Sequence, residues 1–155
     1  MTEINLRDLL IAFIPVFAGG ITQLVKFTLY SFRHGLQWNY LMTHGHMPST
    51  HSAFAVAMLI SVMHLNGIDS GIFAVALAVA VIIIDDALRL RMYLGDQGRY
   101  LNMMIQTLDL NPQKYPRLKE RVGHRTSEVI VGLIFGALLA WIFIAIIEKQ
   151  FASLS

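Results

Sequence analysis

Four apolar runs dominate this chain and leave few folds open to it: Leu9 to Phe32, Ser52 to Leu65, Ile72 to Ile84 and Val129 to Ile147. A helix needs about 20 apolar residues to cross a bilayer, with about 17 as the lower limit. The first and last runs meet that length. The second and third need their flanks, and the second begins below the membrane surface. Hydrocarbon offers backbone N–H and C=O groups no partner, so spans of this kind must be helical. Only 14% of the 155 residues are charged, against roughly a quarter in soluble domains. The prediction is an all-α integral membrane helical bundle of about four transmembrane helices, a single domain over 1–155. A long loop from Met92 to Gly123 separates the third helix from the fourth. Within it Tyr100 to Leu108 suits a short interfacial helix, and Asn111-Pro112 and Tyr115-Pro116 mark turns.

Four spans return both chain ends to one side. The segments 33–51 and 89–126 then share the other side, to which ten of the 12 Lys and Arg residues belong or point. Only Arg7 and Lys149 lie opposite. Cytoplasmic loops carry the excess of Lys and Arg, so the basic side is expected to face the cytoplasm, in a multi-pass protein of the cytoplasmic membrane. Setting aside Lys26, Arg33 and Arg91 as ligands still leaves seven against two. Met1 to Asp8 is polar and mixed in charge, with no small-residue cleavage site after it, so no signal peptide is expected. Zero cysteines exclude disulfides and thiolate chemistry.

The same side gathers groups able to handle an anion. Lys26 and Arg33 are seven apart, on one helix face. Lys26 sits about 10 Å below Arg33, a depth that calls for snorkelling or for an anion. Pro48-Ser49-Thr50-His51 opens the second helix, where free backbone N–H groups and the positive dipole end attract anions. A histidine there can give or take a proton beside a bound phosphate. Arg91 closes the third helix. His124 and Glu128 are spaced i, i+4 at the start of the fourth, so the carboxylate can accept a hydrogen bond from the imidazole. For such a pair alone, helix capping is the plainer reading. Convergence with His51 and three cations argues for a site.

These residues resemble the type 2 phosphatidic acid phosphatase superfamily, which also contains vanadium haloperoxidases, in a short divergent branch. That superfamily carries K-x6-R-P, P-S-G-H and S-R-x5-H-x3-D. Here Lys26-x6-Arg33 is followed by His34, and Pro48-Ser49-Thr50-His51 has threonine for glycine. The third motif is split. Leu90-Arg91 resembles its start and His124-x3-Glu128 its end, with residues 96–123 between. The resemblance implies a membrane-embedded phosphatase that hydrolyses a lipid phosphate or prenyl (di)phosphate through a phosphohistidine intermediate. It implies that Lys26, Arg33 and Arg91 bind phosphate oxygens, with Ser49 and backbone N–H groups near Thr50. His124 would attack phosphorus, Glu128 would orient it, and His51 would serve as acid and then base. No metal or other cofactor is required by this scheme. The alternative is a non-catalytic phospholipid-binding or transport protein that keeps the phosphate pocket.

Asp85 and Asp86 close the third apolar run. One reading is pairing, Asp85 with Arg89 and Asp86 with Lys26 or Arg33, because an unpaired charge in a membrane is costly. The other is a divalent cation held against substrate phosphate, for which carboxylates are suited. His44 and His46 have no specific metal spacing, and His34 and His64 read as interfacial. Gly132, Gly136 and Ala140 form a small-residue stripe that lets helices approach, either inside the monomer or in a homodimer. The expected partners are membrane lipids and a lipid phosphate substrate, with no nucleic acid.

Overall fold

The computed structural model describes residues 5–36, 47–111, 113–120 and 122–153, and of Arg33 the backbone. These form α1 (Leu6–His34), α2 (Thr50–Asn66), α3 (Gly71–Asp85), a π-helical turn (Asp86–Leu90), α4 (Arg91–Thr107) and α5 (Thr126–Ala152). The result is the expected helical membrane bundle. His44 and His46 lie outside the described residues.

Helix ends follow local chemistry. Asn5 caps α1, its side chain accepting from the Arg7 N–H at 3.1 Å. Ser70 caps α3 by accepting from the Phe73 N–H at 3.1 Å. Glycines in the left-handed region stop α1 at Gly35 (φ 81°) and α2 at Gly67 (φ 79°), a conformation costly for residues with a Cβ.

α2 is the central helix, packing on α1, α3 and α5, while α1 also packs on α5. Ile11, Ile14 and Ala18 of α1 meet Ala57 and Ile60 of α2 and Ala140 and Ile144 of α5 in one core. The small-residue stripe is spent inside the monomer. A Cβ on Gly132 would stand 2.5 Å from the Ser49 carbonyl oxygen, and one on Gly136 would collide with the Ala53 backbone. At the far end from Ser49, Glu148 of α5 accepts from Arg7 of α1 (Nε, 3.1 Å) and bonds His64 of α2 (Nε2, 2.8 Å). His64 is thus hydrogen-bonded to the Glu148 carboxylate.

Among the described residues three helical runs are long and apolar enough to cross a bilayer: Leu6–Phe32, Gly71–Thr107 and Thr126–Ala152. α2 has 17 residues, or about 26 Å, shorter than a hydrocarbon core of about 30 Å. The long loop is shorter than its sequence suggests. Residues 91–107 continue α3 through the π turn, so that Gly71–Thr107 is one run of 37 residues. The segment lacks proline and is merely polar, which argues against membrane burial but not against a helix. The expected interfacial helix at Tyr100 to Leu108 is the outer part of that run, and only 108–125 connects to α5.

Candidate active site

The Pro48-Ser49-Thr50-His51 turn is pinned from both sides. Ser49 is fully buried, and its N–H donates to the Glu128 carbonyl at 3.0 Å. Its hydroxyl caps α2, accepting from the Ser52 N–H at 3.4 Å and the Ser52 hydroxyl at 2.9 Å. The Thr50 hydroxyl donates to Gln23 Oε1 at 2.8 Å, which ties α2 to α1. Glycine at position 50 could not make that bond. In the sequence Gln23 registers only as a polar interruption of the first span. Its signal is its place three residues before Lys26, on the same helix face.

The π turn assembles the next pair. Arg91 Nε donates to Asp86 Oδ2 at 2.7 Å, and the Arg91 N–H bonds the Asp86 carbonyl. In an α-helix residues five apart point about 140° away from each other; the wider turn brings them to one side. Asp86 therefore pairs with Arg91, a partner other than the Lys26 or Arg33 that the sequence suggests; the Arg33 side chain lies outside the described residues. Helical periodicity could not have revealed this pair. Asp85 makes the expected i, i+4 pair with Arg89 at 2.6 Å. Both carboxylates are thus engaged by arginine. Among the described residues no three His, Asp or Glu side chains gather as a metal cage.

Arg91 reaches on to His51, with Nη2 3.4 Å from Nε2. A guanidinium has only donors, so Nε2 is the acceptor and a neutral His51 ring carries its proton on Nδ1. The His51 and His124 ring centroids are 5.9 Å apart, edge to face. Lys26 is 4% exposed, within electrostatic reach of Glu128 and His124. The split third motif is therefore rejoined in space, because Arg91 acts on His124 although residues 96–123 lie between them. Arg33 lies on the last turn of α1; its side chain is outside the described residues.

His124 is held by its backbone. Its N–H donates to the Ala87 carbonyl in the π turn at 3.1 Å. The ring is 2% exposed, and neither ring nitrogen has a hydrogen-bond partner among the described residues. The bond to Glu128 suggested by the i, i+4 spacing is not made. His124 precedes the helix, so that spacing does not stack the two side chains. Glu128 Oε2 instead accepts from the Arg125 N–H at 3.1 Å, capping α5. A cleft of about 400 Å3 opens onto His124 from the α4 side, walled by Met92, Asp96, Glu120, Val122 and Arg125.

Burial pushes the His124 imidazole down to about 4, opposed by Glu128 and aided by Lys26, His51 and Arg91. The ring is neutral at neutral pH, with lone-pair density to offer an electrophile. Between pH 6.5 and about 4 the unfolded chain binds a proton here that the folded chain refuses. The stability so linked is fully present above pH 6.5 and lost as pH falls through about 4, a difference of about 3 kcal/mol. Histidine-labelled NMR in micelles should give a midpoint near 4, and wild type should lose its advantage over His124→Gln across that window. A midpoint near the ordinary histidine value would contradict the burial.

Residues 7–139 match the family described as the Divergent PAP2 family. The chain is 34% identical to the uncharacterized membrane protein YuiD of Bacillus subtilis (strain 168), an alignment covering 67% of this chain and 73% of that protein. No solved structure matches it.

Proposed function

The chain belongs to the divergent PAP2 family, and from that premise we propose that this integral membrane protein is a phosphatase acting on a lipid phosphate or prenyl (di)phosphate. One observation carries the reading: a buried, neutral imidazole whose two nitrogens have no hydrogen-bond partner among the described residues stands among His51, Arg91 and Lys26. Holding a histidine so is costly unless a ligand meets it.

His124 attacks phosphorus and the P–O bond to the alcohol breaks. The leaving alkoxide takes a proton from the His51 imidazolium, which leaves the neutral ring that Arg91 holds through Nε2. Water then gives its proton to His51 and attacks the phosphohistidine, freeing phosphate and His124. Lys26 and Arg91, with Arg33, neutralise charge on the phosphoryl oxygens. Ser49 and Thr50 shape the turn; their hydroxyls serve α2 and Gln23 in the absence of substrate.

A phospholipid-binding role without turnover is favoured by one observation, the use of Glu128 as a helix cap and not as a support for His124. Phosphate release by purified protein from a panel of lipid phosphates, with and without divalent cations, separates the two. Binding without release under every condition would leave only the second reading. The basic side, and with it the site, is placed in the cytoplasm by this proposal. A cysteine at Gln113 should then react with an impermeant maleimide only in opened cells. Labelling in intact cells would reverse the orientation.

A further inference from the structure

His124 reaches its place by a long detour. α4 leads away from Arg91, and the chain returns along it through 117–120 and 122–124. Gly95, Gly98 and Asn102 share one face of α4, and the returning backbone lies directly on it. Cβ atoms on Gly95 and Gly98 would stand 2.5 Å from the Glu120 carbonyl oxygen and 2.7 Å from that of Lys119.

Asn102, 5% exposed, grips the returning backbone as a neighbouring strand would. Its Nδ2 donates to the Leu118 carbonyl at 3.0 Å, and its Oδ1 accepts from the Leu118 N–H at 3.0 Å. Nδ2 also donates to Glu120 Oε1 at 2.9 Å, and Arg117 Nη2 donates to the same oxygen at 3.0 Å. These two partners hold the Glu120 carboxyl below the usual range, the amide first. Both amide protons and the carbonyl of a buried side chain are thus used. The return is fastened again at its end, by the His124 N–H on Ala87.

No side-chain bond orients the His124 ring among the described residues. Its position is therefore set by its backbone and its packing, and the backbone is set by these two fastenings. We propose that Asn102 is a positioning residue for His124, acting through the return segment to hold the imidazole beside His51 and Arg91. The inference rests on the reading of His124 as nucleophile, but the clamp itself can be tested without turnover.

Asn102→Ala removes all three bonds. With the best substrate of the panel, kcat should fall about 100-fold, the scale of a misplacement near 1 Å. KM should move less than about threefold, because the cations that bind phosphate, Lys26 and Arg91, lie outside the return segment that the clamp holds. The NMR midpoint of His124 should rise by about one unit or more as water reaches the ring. Asn102→Asp sets a carboxylate oxygen against both Glu120 and the Leu118 carbonyl, and adding Glu120→Gln removes the first of these repulsions, supplies a donor in its place and keeps the acceptor for the Leu118 N–H. The double variant should recover kcat to within about tenfold of wild type. It also carries the test if Asn102→Ala fails to fold, a failure to recover counting against the clamp. An Asn102→Ala protein with kcat within about twofold of wild type and an unmoved His124 midpoint would overturn the proposal. If wild type shows no turnover, the midpoint alone decides. A rise upholds the clamp while the phosphatase reading falls, and no rise sinks the clamp.

Discussion

His124→Ala should abolish phosphate release, by about 10^4-fold or more, because a missing nucleophile removes the covalent path entirely. His51→Ala should behave differently in a way that identifies both roles. With an alkyl phosphate the leaving alkoxide needs a proton, and the loss should reach about 10^2- to 10^4-fold. With an aryl phosphate the leaving group departs unaided, so the first step should survive while hydrolysis of the phosphohistidine stalls. Radiolabelled phosphate should then accumulate on His51→Ala as an acid-labile, base-stable adduct, and never on His124→Ala. A phosphoenzyme on the His124→Ala protein would falsify the assignment of the nucleophile. The geometry behind this expectation is the pair of rings 5.9 Å apart. Arg91 aligns His51, whereas no ring nitrogen of His124 is committed to a bond among the described residues.

The second large effect is on the fold. Gly136→Leu should destabilise the bundle by about 3 kcal/mol or more, at the upper end of overpacking costs. The new side chain meets the Ala53 backbone, which no rotamer change can move, so α2 and α5 must separate. Gly132→Ala acts on the site as well as on stability. Its methyl would stand 2.5 Å from the Ser49 carbonyl oxygen and would push the turn before His51. Gly20→Ala, with nothing within 4 Å of the added atom, is the matched control and should unfold like wild type. Thermal unfolding in detergent orders the three. A Gly136→Leu protein as stable as Gly20→Ala would mean that α2 and α5 do not touch as described.

Much of the site was legible because it lies at helix starts and ends, where sequence has direct meaning. The Pro48 to His51 turn reads as the start of α2, and the structure makes Ser49 its cap; Lys26 is marked by its seven-residue spacing from Arg33. Glu128 was legible twice over, as a partner of His124 or as a cap, and only the structure chose the cap. The choice turned on a boundary: with Arg125 as the cap residue, His124 stands outside the helix. Asp86 and Arg91 were each visible, but their pairing depends on a π turn that no α-helical period announces. The excursion through Asn102 was the least legible part. It is too polar to look like a span, and the bonds that order it join residues 16 and 18 apart.

The sequence by itself determined the solvent, the helical class and the end of the bundle at which charge collects. Those follow from local hydropathy and from the cost of an unsatisfied backbone in hydrocarbon, both of which act residue by residue. Tertiary structure alone decided that Arg91 and His124 come within electrostatic reach of each other, that Thr50 bonds Gln23, and that the glycine stripe packs against α2 within one chain. Each of these depends on which faces meet after the helices pack, and contacts between distant segments leave no periodic trace in the chain.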